Sequence, residues 1–91
     1  MFAAAQLART TLERGLKLNG PEAVALVCDE MHMAAREGGS FEDVIERGRR
    51  ALARSQLLEG VPDIVSEIRL EVLLDEGSRL IVLRDPWTED R

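Results

Sequence analysis

Apolar positions recur every three or four residues through the first half of the chain and every second residue near its end. Over residues 2 to 17, Phe2, Ala5, Ala8, Leu12 and Leu16 fall on one side of a helical wheel, with Arg9, Glu13, Arg14 and Lys17 elsewhere around it. The spacing predicts an amphipathic helix whose start lacks a capping Ser, Thr, Asp or Asn and is either frayed or short of an earlier turn. In "LNGPEAVALVCDEMHMAAREGG", Pro21 opens a second helix, Glu22 lies in its first turn, and Gly38-Gly39 close it, which bounds it at about 21 to 37. Ala23 through Cys28 is an unbroken apolar run, so the first two turns of this helix have no polar face. A helix apolar all round is buried on more than one side, and Val24 and Val27 are therefore candidate contacts for a partner subunit.

Ser40 caps a third helix, with Asp43 at the capping-box position and Phe41, Val44, Ile45, Ala51 and Leu52 as the inward stripe. Its acids Glu42, Asp43 and Glu46 come early and Arg49, Arg50 and Arg54 late, which suits the helix dipole; a solvated face explains the pattern, the alternative being a partner-binding role for the arginines. After Gly60, "PDIV" makes a short helical turn. "SEIRLEVLLD" then alternates Ile68, Leu70, Val72 and Leu74 against Glu67, Arg69 and Glu71, the signature of a half-buried strand. Glu76-Gly77 turns the chain, with Gly at the positive φ, and "SRLIVLR" returns as a second strand that Pro86 stops.

The expected fold is thus α+β and mainly helical: one domain over 1–91, a three-helix bundle with a short fourth turn and a C-terminal two-stranded β-hairpin. The returning strand is apolar on both faces. A lone hairpin is marginal in water, so an uncovered face calls for another chain. The expected arrangement turns Leu80 and Val82 toward the helices and leaves Ile81 and Leu83 for a partner. Trp87, beyond the last strand, either folds back as a lid or enters another chain.

Length allows one thin core, since 91 residues bury about 60% of the surface of the unfolded chain. That core is aliphatic: 13 Leu, 7 Val and 4 Ile stand against two Phe, one Trp and no Tyr. A net charge of −5 repels phosphate backbones and anionic lipid, which argues against nucleic acid and membrane partners. Neither a membrane span nor a signal peptide is legible, so the expected compartment is the cytoplasm, and the lone Cys28 agrees with a reducing one.

Catalytic chemistry is scarce. His32 is the single histidine, with Asp29 and Glu30 on its helix; an Asp-x-x-His pair could bind a metal weakly, but two ligands do not make a zinc site. His32 is read as a structural residue and Cys28, inside the apolar run, as a small hydrophobe. Met31 and Met33 point to different sides of the helix and fill space. Ser40 has a capping role and no base nearby. Gly38-Gly39 follow a helix, whereas a phosphate loop precedes one. No catalytic, cofactor-binding or metal-binding residue is assigned.

Three stretches, "LERGLKLNGPEAVALV" at 12 to 27, "AAREGGSFEDVIERG" at 34 to 48 and "LLEGVPDIVSEIRLEVLLDEGSRLIVLRDP" at 57 to 86, together resemble the gamma subunit of bacterial urease in order and spacing. The most specific segments are Lys17-Leu18-Asn19 with Pro21-Glu22-Ala23, the Glu59-Gly60-Val61-Pro62 elbow, and the hairpin turn with Asp85-Pro86. Departures from the family's usual pattern stand at Gly20, near Ser55, at Arg84 and in the short N-terminal turn. The resemblance implies a non-catalytic structural subunit of the enzyme that hydrolyses urea to ammonia and carbamate, inactive alone. It also implies beta and alpha subunits as partners in a threefold-symmetric assembly, with the nickel in the alpha subunit. The interface would then include Val24, Val27, Ile81, Leu83 and Trp87. The alternative is a divergent adaptor that keeps the fold and has left the enzyme.

Overall fold

The computed structural model describes residues 2–89. Four helices precede one hairpin: α1 (Phe2–Glu13), α2 (Gly20–Arg36), α3 (Phe41–Arg49), a 3-10 turn at Arg54–Gln56, α4 (Val61–Ile64), β1 (Glu67–Leu74) and β2 (Gly77–Arg84). The α+β, mainly helical architecture is the expected one.

Local chemistry explains where the helices begin. Asn19 and Glu22 form a capping box at the start of α2: the Glu22 amide donates to Asn19 Oδ1 at 2.9 Å, and the Asn19 amide donates to Glu22 Oε1 at 3.0 Å. Ser40 and Asp43 repeat the device on α3, at 3.1 and 3.0 Å. The first helix stops at Glu13, a turn short of the expected end, so Leu16 lies outside it and is exposed. Its inner face is made of Ala5 and Ala8 instead of the larger Phe2 and Leu16.

Helix α2 is the centre of the molecule. It packs on α1, α3 and β1, and β2 packs on α3, so the hairpin lies across the α2–α3 pair. Ala23, Leu26, Val27, Cys28, Met31 and Ala34 of α2 enter one buried cluster with Val44, Leu52, Leu57, Val72, Ile81 and Leu83. This contiguity explains the apolar run of α2: three elements share its circumference, and only Val24 in that run is left half-buried. Close approach of α3 depends on Gly48, where an added Cβ would come within 2.7 Å of both Leu83 Cδ1 and Met31 Sδ.

The hairpin corrects two expectations. Leu74 pairs with Gly77, Leu70 with Ile81 and Ile68 with Leu83, and directly opposed residues share a face. Ile81 and Leu83 therefore lie against the helices with Ile68, Leu70 and Val72, while Leu80 and Val82 stand on the outer face, opposite Glu71 and Arg69. The turn itself is Asp75-Glu76, with Gly77 opening β2 at a φ of 119°. The inner face is covered by the chain's own helices and needs no partner.

Beyond β2 the chain folds back. Pro86 and Trp87 are buried, the Thr88 amide donates to the Leu52 carbonyl at 2.9 Å, and the Arg54 amide donates to the Thr88 carbonyl at 3.0 Å. Of the two routes open to Trp87, the structure takes the first.

Candidate interaction surface

Side chains free to meet another molecule are fewer than the sequence suggested. Val27, Ile81, Leu83 and Trp87 are buried in the chain's own core, so as folded they present no surface to a partner. Each was chosen for being apolar without an obvious cover, and in each case the cover is internal: Leu83 lies against Gly48 of α3 close to Met31 of α2, Val27 and Ile81 join the same buried cluster, and the 52–54 loop holds the segment carrying Trp87. Val24 alone keeps an open side.

Val24 opens into an apolar notch of about 510 Å³ lined by Gly20, Pro21, Val24, Ala25, Ile64 and Val65. The Gly60 elbow brings α4 beside the start of α2 here, and Ile64 projects with 82% of its surface exposed. Further exposed apolar side chains are Leu73 and Leu80 on the outer hairpin face and Phe2, Leu7 and Leu16 at the α1 end. Sequence reasoning missed Ile64, Leu58 and Leu73 as surface residues. The signal for Leu73 was its odd position in an alternating strand; nothing local marks Ile64.

Charge is organised between helices. Arg9 of α1 donates through Nη2 to Asp29 at 2.7 Å and to Glu30 at 2.8 Å, and also bonds Gln6. Arg47 of α3 donates through Nε to the other Glu30 oxygen at 2.8 Å and through Nη1 to Glu37 at 3.1 Å. Burial alone would raise the Glu30 carboxyl, but Arg47 and then Arg9 more than offset it and hold it below its ordinary value. Arg47 is raised by Glu37 and Glu30 and stays charged at any working pH. Glu37, Asp43, Glu46, Arg47 and Arg50 line a polar cleft beside the Gly38-Gly39 turn, where Arg50 pairs with Glu46 at 2.7 Å. The arginine face of α3 thus includes a charge that ties helices together, which the solvated-face reading did not foresee.

Among the described residues no group of three or more His, Cys, Asp or Glu is placed to hold a metal ion. Asp29 and Glu30 are committed to arginines and do not gather around His32. Cys28 is buried, and burial pushes its thiol upward, away from a reactive thiolate. No helix among the described residues is long and apolar enough to cross a membrane.

The sequence model of the family described as "Urease, gamma subunit" matches residues 1–87. This chain belongs to the urease gamma-subunit family. Among its relatives, a "Urease subunit gamma/beta" of Streptomyces coelicolor is 48% identical over 86 residues, covering 94% of this chain and 38% of the relative. A "Urease subunit gamma" of Saccharopolyspora erythraea is 43% identical over 83 residues, covering 91% of this chain and 83% of the relative. One of Methylocella silvestris is 45% identical over the same length, with the same coverage. The chain therefore spans well under half of the gamma/beta relative and most of the stand-alone gamma subunits. The matched span includes the Asn19–Glu22 box, the Gly60 elbow and the hairpin.

Proposed function

We propose that the chain is a non-catalytic structural subunit of a urease, assembling with beta and alpha subunits in a threefold-symmetric complex whose alpha subunit carries the nickel and hydrolyses urea. Family membership over nearly the whole chain is the observation that carries this reading. The donor set supports it from the other side. His32, Asp29 and Glu30 do not fit a nickel centre, since both carboxylates are engaged by Arg9 and Glu30 also by Arg47. A hydrolytic nickel site needs several imidazole or carboxylate ligands around an open position, so no step of urea hydrolysis is routed through this chain. Its contribution is a rigid surface: the Val24 and Ile64 notch and the outer hairpin face offer apolar area of the kind that a larger subunit covers. The cytoplasm remains the expected compartment.

Affinity recovery of the tagged chain from its native cell tests the proposal. The expected result is co-recovery of larger urease subunits, with ammonia release and nickel in the recovered complex and neither in the purified chain alone. Urea turnover by the chain by itself, or recovery without any urease subunit, overturns it.

A further inference from the structure

We propose that α1 is a releasable arm, latched to the bundle by Arg9 and hinged at Gly15, which opens as a unit while the rest of the chain stays folded. The inference stands on this chain alone and does not depend on its assembly.

The first observation is how little apolar volume α1 commits. Its buried residues are Ala5 and Ala8, with Leu12 partly buried against the core, while Phe2, Leu7 and the following Leu16 are 65%, 58% and 59% exposed. By contrast α2 commits Leu26, Val27 and Met31 to the same core. Hydrophobic stabilisation follows the apolar area removed from water, and two methyl groups with part of one leucine are a small share of it. Segments with few buried apolar contacts are the ones that open first.

The second observation is the latch. One guanidinium nitrogen of Arg9 reaches Asp29 at 2.7 Å and Glu30 at 2.8 Å, and these ion pairs join α1 to α2 at a partly exposed site. Partly exposed pairs are weakened by salt. Release leaves Glu30 paired, because its second oxygen stays bonded to Arg47 of α3 at 2.8 Å, whereas the buried Asp29 gives up its Arg9 partner. The usual penalty for breaking such a cluster, an unpaired charge, thereby falls on Asp29 and spares Glu30.

The third observation locates the hinge. Gly15 has φ 76°, and no atom lies within 4 Å of the position a Cβ would take, so the chain there is both left-handed and unconfined. Three residues on, Leu18 is fully buried and clamped on both sides: its amide donates to the Gln56 carbonyl at 2.9 Å, and its carbonyl accepts from the Leu58 amide at 2.8 Å. Opening that starts at α1 therefore stops before α2.

Amide hydrogen exchange by NMR on the full chain tests the arm. The α1 amides of Ala8 to Leu12 should exchange together, roughly 100-fold faster than those of Val27 and Ile81, as a separate opening unit does. In Arg9→Gln, and in the unaltered chain when salt is raised from about 0.05 to 0.5 M, the α1 amides should speed up by about tenfold with α2 and hairpin amides unchanged. A common rate for α1 and α2 overturns the proposal. So does an Arg9→Gln chain that unfolds or speeds every element alike, and so does a fast α1 indifferent to both Arg9 and salt.

Discussion

Gly48 shows how much one missing methyl group decides. Glycine inside a helix costs about 1 kcal/mol relative to alanine, so propensity alone favours replacement. The Cβ of alanine would, however, meet Leu83 Cδ1 and Met31 Sδ at 2.7 Å, and both side chains are fully buried with little room to retreat. Overpacking of this kind costs about 1–3 kcal/mol, so Gly48→Ala should lose about 1 kcal/mol net and melt several degrees lower. A raised melting temperature would mean that α3 shifts at no cost. Ser40 is the opposite case, a residue whose role was legible from its neighbours. Its Oγ accepts from the Asp43 amide, and Ser40→Ala should destabilise by about 1 kcal/mol in thermal melts. The Asn19 box has the same logic, an amide side chain at the cap with Glu22 three residues on, and it was readable by the same rule.

At the scale of the element, the hairpin carries the sharpest test. Ile81 and Leu83 are wholly buried, Leu80 is exposed, and the parity is set by a two-residue turn. Ile81→Ala should cost roughly 2–5 kcal/mol, because the truncated side chain leaves a cavity in a closed core. Leu80→Lys should change stability by less than about 0.5 kcal/mol, and it places an ammonium opposite Glu71, where cross-strand opposite charges are favourable. Equal losses from the two variants would place both faces inside. The parity was in fact available beforehand: any two-residue turn here, whether Asp75-Glu76 or Glu76-Gly77, pairs even positions of the first strand with odd positions of the second. Reading both faces as equally apolar hid that constraint. In α1 the error had another cause, since the wheel assigns the apolar side but not the depth to which each residue sinks. Small residues let α1 approach α2 closely, so the alanines went in and Phe2 stayed out.

For the whole molecule, the ion cluster joining α1, α2 and α3 makes stability depend on acid. Glu30 is held below its ordinary value of 4.5 in the folded chain, so between the two values the unfolded chain binds more protons and stability rises with pH. The contribution is complete above the unfolded value and is lost as pH falls through the folded one. Urea unfolding midpoints should therefore drop from about pH 5 to pH 3, and less steeply in Glu30→Gln, which keeps the shape without the charge. An identical slope in the variant would show that Glu30 does not titrate differently on folding. A net charge of −5 adds to the field around this cluster, and three carboxylates sharing two arginines keep it locally near balance.

Periodicity, caps and turn residues by themselves determined the number, type and order of the main elements and the start of α2 and α3, while the family was legible from the resemblance carried by three stretches of sequence. These signals are local: a helix start or a strand alternation is written within a few residues of where it acts. What lies over what was decided by the tertiary structure. The same apolar Val27, Ile81, Leu83 and Trp87 that read as surface for a partner became core once the hairpin crossed α2 and α3, and Ile64, unremarkable in sequence, became the most exposed of the large apolar side chains. Burial is a property of neighbours contributed from far along the chain, and no window of local sequence contains them.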